Sequence, residues 1–359
     1  MVVCRLNSPS GTFPSILSSG SYWPIIHRAD YKAGTFVSTP QGTGPYVFKS
    51  YDPSSGASYT RNNHYWGGKV PASGVEMTFF ADDSSASTAM LDGQIDILPN
   101  IVYSNATALL KAKDLKVQSV PSTENRWLSF RCDRPPFDDV RVRQAVAYAI
   151  DRQALVDTLL GGYASIGNDS PIAPGYPAYD STVPQRQRDL DRARSLLADA
   201  GQSDLTFEWS TTPDYELLKL AQLAQQQLRE VGITTTINVQ PASVFYEEPD
   251  PFDNYAAAMV YGSPRPNIDG WLRYGYVSGT NRSKYSNPKL DTLVKQLTAA
   301  VDIESQRRVC REIQLTCLDD TPAVMPYFPD KLAMTSKAVD GYDVRPENVV
   351  DLRNTSVKR

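Results

Sequence analysis

Residues 132–162, CDRPPFDDVRVRQAVAYAIDRQALVDTLLGG, read as two consecutive helices whose starts, stops and buried faces are all marked. Pro135 and Pro136 bar an earlier helix start. Asp138 and Asp139 follow where an N-cap and a first-turn acid belong, and their charge suits the positive end of a helix. Val142, Val146, Ala149 and Ile150 then recur at helical spacing, so one face is apolar while Arg141, Arg143 and Gln144 are expected to face elsewhere. Asp151 is placed to cap a second helix with Leu155, Val156, Leu159 and Leu160 on its apolar face, and Gly161–Gly162 supply a left-handed stop.

Outward from this hairpin, the chain of 359 residues is long enough for at least two lobes, since single cores rarely grow past roughly 250–300 residues. Lys+Arg of 36 against Asp+Glu of 40 leaves a net charge of −4 with no long run of one sign, so nothing asks for nucleic acid or an anionic membrane. No apolar stretch approaches the roughly 18 residues of a membrane span. Cys4, Cys132, Cys310 and Cys317 lack CxxC spacing and there are only two histidines, so a Cys/His metal site is not expected. Cys310 and Cys317 share one predicted helix, about 10 Å apart along its axis, too far for a bridge. Cys4 and Cys132 lie on separate predicted strands and pair only if the fold brings them together.

In order, the pattern predicts a strand at 2–6, a short helix at 13–17, an aromatic cluster at Tyr22–Trp23, and a hairpin of 46–51 and 57–62 across an Asp52–Gly56 turn. A strand (75–80), helix (84–91), strand (94–98) unit follows, then a weak helix (102–111), a strand (115–120) and an extended segment (124–130). From 163 to 188 the density of Pro, Gly and Ser reads as a long surface loop. Beyond it, helices at 190–200, 214–231, 290–301 and 305–318 alternate with strands at 205–209, 233–239 and 255–261, the pattern of an α/β layer domain. Residues 323–328 and the tail from Lys331 read as strands.

PFDDVRVRQAVAYAIDR followed by ALVDTLLGG resembles the signature segment of the family 5 extracellular solute-binding proteins, receptors of dipeptide, oligopeptide and nickel ABC importers. GTGPYVFKSYD (42–52), NNHYWGG (62–68) and LDGQIDIL (91–98) before it, and DLDRARSLLADAG, QQQLREVGI, FDNYAAAMVYG, YSNPKLDTLV and TPAVMPYF after it, keep the family's order over nearly the whole chain. The resemblance implies an α/β, two-lobed periplasmic-binding-protein-like fold (type II, cluster C) with mixed sheets flanked by helices and hinge strands between lobes. It divides the chain into 1–38 as the remnant of a peripheral subdomain, 39–128 plus 325–359 as a first lobe, and 129–324 as a second, with passages between lobes near 124–130 and 321–328. Met1 is followed by VVCRL without an export signal or lipobox cysteine, so against the family pattern the chain starts part-way: a fragment, a re-started gene, or a sequence given without its preceding residues.

Catalytic motifs are absent from the sequence: no GxSxG elbow, P-loop, GxGxxG after a strand or HExxH occurs. The acid pairs Asp82–Asp83, Asp138–Asp139 and Asp319–Asp320 fall at predicted helix ends, where capping accounts for them. No enzyme activity, cofactor or metal is expected. The resemblance instead implies ligand contacts at Trp127, Ser129, Ser243, Tyr246, Tyr261, Gly262, Ser263, Arg265, Asp269, Asn281 and Phe328. For Trp127, Tyr261 and Phe328, ordinary packing is the competing reading. Peptide-binding members carry an aspartate for the ligand's ammonium after the strand matching YAAAMVYG; here Ser263–Pro264–Arg265–Pro266 stands there, with Asp269 beyond. Either Asp269 takes that role or Arg265 offers a fork to an anion. The function implied is capture of peptides or a related small solute by hinge closure, and delivery to the ABC permease subunits. The receptor is expected to be a monomer outside the cytoplasm, in the periplasm or as a cell-surface lipoprotein. A receptor for an oligosaccharide, an opine-like solute or a metal chelate, a secreted hydrolase, and a non-transporting scaffold are the alternatives.

Overall fold

The computed structural model describes residues 3–17, 29–32, 34–35, 40–103, 106–247, 255–279, 281–347 and 349–358. Tyr22 and Trp23 lie outside the described residues. The chain forms two compact units, a larger one from Met1–Ser21 and Pro121–Asp330 and a smaller one from Tyr22–Val120 and Lys331–Arg359.

The larger unit is built on a five-stranded mixed sheet in the order Ala323–Val324, Asn125–Phe130, Ala257–Gly262, Thr206–Thr211, Thr234–Val239. Asn125–Phe130 is antiparallel to both of its neighbours, whereas the last three strands run parallel. Two of the parallel strands are joined by the helix Leu217–Arg229, which buries Leu217, Leu220, Ala221, Ala224 and Leu228. Crossing back between parallel neighbours requires such a connection. Every residue of Asn125–Phe130 is buried, as a strand bonded on both edges and covered on both faces must be. The strand that the resemblance gives as a passage between lobes thus sits wholly inside the larger unit.

The signature hairpin forms as the sequence indicates. Helix Val140–Ala149 starts at Asp139, whose carboxylate accepts from the Arg141 N–H; helix Arg152–Leu160 starts at Asp151, which accepts from the Ala154 N–H, and stops at Gly161 with φ 58°. One expectation is corrected: Arg143 does not face away but is 5% exposed. Its guanidinium donates to the Phe137 carbonyl at 2.6 Å and to the Asp320 and Thr321 carbonyls at 2.7 and 3.0 Å. These last oxygens end the helix Ile303–Asp320, where a cation satisfies orphan carbonyls and suits the negative helix end.

Three further expectations change. Residues 3–6 carry no regular secondary structure and join no sheet, so the N-terminal strand does not form there; Cys4 is exposed and, like Cys132, Cys310 and Cys317, is not in a disulfide. The stretch 163–188 is not a surface loop. Ala164–Ile166 pairs with Tyr327–Pro329, and Asn168, Asp169, Ser170, Ile172, Ala173, Tyr176 and Ala178 are buried. Finally, Ile268–Gly275 is an additional helix in a stretch to which the sequence pattern assigns no element.

In the smaller unit, Tyr46–Asp52, Gly56–Arg61 and Gly74–Thr78 form one antiparallel sheet, which confirms the hairpin and its Asp52–Gly56 turn. Lys331–Ser336 is the centre of a second sheet, between Ile97–Leu98 and Leu115–Val120. The strand–helix–strand order at 74–98 holds, with its two strands in different sheets.

Candidate functional site

The strand pair Asn125–Phe130 and Ala257–Gly262 sets the floor of the site. Its register places Trp127 opposite Val260 and Arg126 opposite Tyr261, so alternate residues project from opposite faces. On one face, Trp127 and Ser129 join Val260 in a recess of about 150 Å³. Helix Ile268–Gly275 supplies Trp271, Tyr274 and Gly275, and Tyr246, Arg282 and Ser283 complete the lining; Tyr261 also borders the recess, although its register opposite Arg126 sends its ring to the other face.

Aromatic rings build the walls. Trp127 meets Trp271 edge-on at 5.2 Å between centroids, Tyr276 at 5.8 Å and Tyr274 at 6.3 Å. Each such pair contributes about 0.5–1.5 kcal/mol beyond its buried area. The Trp127 indole N–H donates to Asn125 Oδ1, which fixes the ring. Two glycines make the approach possible. A Cβ on Gly275 would lie 2.2 Å from the Trp127 ring, and one on Gly262 would lie 2.1 Å from Asn125 Oδ1 and 2.9 Å from the Trp271 ring.

On the other face of the strand pair, Arg126 is 2% exposed and lies between Glu216, at 2.8 Å, and Glu124, at 3.0 Å. Burial works against its charge, but the two carboxylates outweigh burial and hold its pKa above the ordinary value. Its guanidinium lies 5.1 Å from the centroid of Tyr261 and 5.3 Å from that of Tyr215, rings that stack on each other at 4.1 Å. The Tyr327 hydroxyl donates to Glu216. Tyr261 is thereby held between a fixed cation and a stacked partner, and burial raises its pKa. Burial likewise pushes Tyr246 up to about 12. Both phenols are neutral donors at physiological pH.

Of the residues expected from the sequence, Trp127, Ser129, Tyr246 and Tyr261 line the recess, and Gly262 permits its walls to close. Ser263 is half-buried just after the strand. Arg265 lies 4.7 Å over the Trp271 ring, its backbone tied to the Thr123 and Tyr176 hydroxyls. Asp269 sits in the first turn of helix Ile268–Gly275, where it accepts from Thr12 Oγ1 at 3.4 Å and lies 3.9 Å from Arg273. Asn281 is buried and positions the loop below Arg282 and Ser283: its amide donates to the Val277 and Tyr285 carbonyls, and its Oδ1 accepts from Ser283 Oγ. Ser243 is exposed on the helix Ala242–Phe245 and does not line the recess. Phe328 is 1% exposed in the strand Tyr327–Pro329, in the core.

Trp271, Tyr274, Gly275, Arg282 and Ser283 were missed. The signal for Trp271 and Gly275 was present: Ile268, Trp271, Leu272 and Gly275 fall at i, i+3, i+4 and i+7 and are the buried face of the helix.

A family model described as bacterial extracellular solute-binding proteins, family 5, middle, matches residues 1–284. The chain belongs to this family. As a family 5 protein it is a solute-binding component of the ABC-import kind. Among curated relatives, a probable di/tripeptide-binding protein 5 of Pseudomonas aeruginosa is 27% identical over 100% of this chain and 70% of its own length. Heme-binding protein A of Haemophilus influenzae is 25% identical over 95% of this chain and 65% of its own length. In three dimensions, the periplasmic binding protein DppA from Helicobacter pylori, in complex with peptide STSA, superposes with a TM-score of 0.79 at 20% identity, covering 99% of this chain and 72% of that one. The family 5 chain thus spans about two thirds of the length of such relatives. Members of the family are extracellular solute-binding proteins, and no helix among the described residues is long and apolar enough to cross a membrane.

Proposed function

We propose that the aromatic recess is where this family 5 protein holds its solute, and that the solute is a peptide or a related small molecule delivered unchanged to an ABC permease. The observation that carries this reading is the composition of the recess: the Trp127 and Trp271 indoles, the Tyr246 and Tyr274 rings and the Val260 side chain around a small volume, with two serine hydroxyls and one guanidinium in the lining. Apolar walls with a few placed polar groups suit recognition. A volume of about 150 Å³ is that of one apolar side chain or ring rather than of a whole ligand, which fits a peptide side chain. Relatives whose names specify di- and tripeptides support the peptide class.

Binding without chemistry accounts for the residues present. The acids near the site, Glu124 and Glu216, are engaged by Arg126, so neither serves as a general acid or base. Solute capture then acts by shifting the protein's conformational population to the form that a permease recognises. The protein works outside the cytoplasm, as a periplasmic or surface-anchored receptor, and as a monomer. A thermal-shift screen of di- and tripeptides, oligosaccharides and metal chelates tests the reading. Peptides should raise the midpoint and quench Trp127 and Trp271 fluorescence; a response confined to non-peptide solutes would replace the peptide class.

A further inference from the structure

Resting on the reading of the recess as the solute site, we infer that Asp269 is a positioning residue and not a solute ligand: through Thr12 it ties the helix Ile268–Gly275, one wall of the recess, to the N-terminal segment, and the seating of that segment sets how well the recess holds its solute. The helix needs such an anchor. It is eight residues long, and its N-cap residue, Asn267, makes no side-chain capping hydrogen bond. A helix this short is marginal by itself, so its position is set by what packs on it. Ile268, Trp271 and Leu272 belong to the core, and Trp271, Tyr274 and Gly275 reach the recess. Asp269 and Arg273, one turn apart, do not line it.

These two residues are clasped from outside the recess. Asp269 Oδ2 accepts from Thr12 Oγ1 at 3.4 Å and lies 3.9 Å from the Arg273 guanidinium. Arg273 in turn donates to Thr298 Oγ1 at 3.1 Å, at the end of the helix Pro288–Ala299, and the Thr298 carbonyl accepts from the Gly11 N–H at 2.9 Å. Gly11, Thr12, Asp269, Arg273 and Thr298 thus close a ring of contacts from three segments distant in sequence. A glycine is required at 11: a Cβ there would lie 1.8 Å from the Ala300 carbonyl oxygen and 2.9 Å from Gln306 Nε2. Thr12 is 9% exposed and the Asp269 side chain 13%, so water competes little for their long contact. Binding sites need their side chains held within about 0.5 Å of the productive geometry. Trp271 meets Trp127 from this helix, so a helix released from the clasp carries Trp271 and Tyr274 out of place against Trp127 and Ser129.

The test uses the full chain, hydrogen exchange read by mass spectrometry, and calorimetric titration with the dipeptide Leu-Phe. In Thr12→Val, which removes the hydroxyl, and in Gly11→Ala, which cannot seat, the amides of 268–276 should exchange about tenfold faster while those of the strand Asn125–Phe130 stay as they were. Thr12→Ser keeps the hydroxyl and should restore protection. Thr12→Val, Asp269→Ala and the two combined should weaken Leu-Phe alike, by about tenfold, because each opens the same clasp. Unchanged exchange in 268–276, or faster exchange spread over the whole larger unit, overturns the inference. So does loss of binding in Asp269→Ala with Thr12→Val at native affinity, which makes Asp269 a solute ligand. If Gly11→Ala fails to fold by circular dichroism, Thr12→Val carries the test. If the native protein does not take up Leu-Phe, the peptide reading fails for this probe, and the exchange of 268–276 by itself upholds or overturns the inference.

Discussion

Asp169 is fully buried in the segment 163–188, in the left-handed region at φ 57°, and carries two guanidinium groups. Arg152 grips both of its oxygens at 2.8 Å, Arg186 a second time at 2.8 Å, and the Met325 N–H adds a third donor at 3.2 Å. Asp169→Ala leaves two buried cations without their anion and should cost about 3–5 kcal/mol, read as a lower urea midpoint. At Gly275 the effect is on the site: Gly275→Ala places a methyl group against the Trp127 ring, so solute affinity should fall sharply while overpacking costs only about 1–3 kcal/mol of stability. The thiols separate by burial. Cys4 is exposed, whereas burial pushes Cys132 up to about 11 and Cys310 up to about 12, so a thiol reagent should titrate one group in the native protein and four in denaturant. Phenols give the pH dependence. Burial raises Tyr246 to about 12 and also raises Tyr176 and Tyr261, while unfolded tyrosine ionises near 10. Above pH 10 the unfolded chain therefore binds fewer protons than the native one, and stability falls as pH rises from 10 towards 12, with no loss from these groups below pH 9. Tyrosinate absorbance and helical ellipticity should change together in that window. Of these residues, Trp127, Ser129, Tyr246 and Tyr261 were legible as site candidates, but Asp169 was not, because its partners come from a helix before it and a segment after it.

At the scale of elements, what the sequence conveyed depended on how local the cause was. Helices Val140–Ala149, Arg152–Leu160 and Leu190–Asp199 carry their own caps in Asp139, Asp151 and Asp189, each accepting from an N–H two or three residues on, so the cause of each start is local; the Asp151 cap is legible outright, and the acid pair Asp138–Asp139 marks the first start without saying which of the two caps. Asp151→Ala should destabilise by about 1 kcal/mol and Gly161→Ala by a similar amount, since a left-handed C-cap disfavours a side chain. Helix Ile268–Gly275 was hidden by Pro264 and Pro266, although a proline just ahead of a helix is no bar to it. Residues 3–6 have strand composition but no partner, and composition alone cannot supply one. Arg143 was assigned to solvent by its charge, yet it lies where a helix C-terminus offers unpaired carbonyls, a place that only the tertiary fold creates.

For the whole molecule, the order of motifs gave the family and the mixed α/β architecture, while the limits of the units follow from long-range pairing. The chain passes from one compact unit to the other at 21/22, 120/121 and 330/331. Strand Asn125–Phe130 stays with the larger unit because strands from 257–262 and 323–324 flank it, a relation between residues more than a hundred positions apart. The central claim is that a small solute is held at the recess and released unaltered. It is tested most directly by native mass spectrometry of the full chain with an equimolar di- and tripeptide mixture, followed by denaturation and identification of what was bound. A single solute per chain, recovered with its original mass and lost in the Gly275→Ala variant, is the predicted result; cleaved or modified peptide, or retention undiminished in that variant, would contradict it.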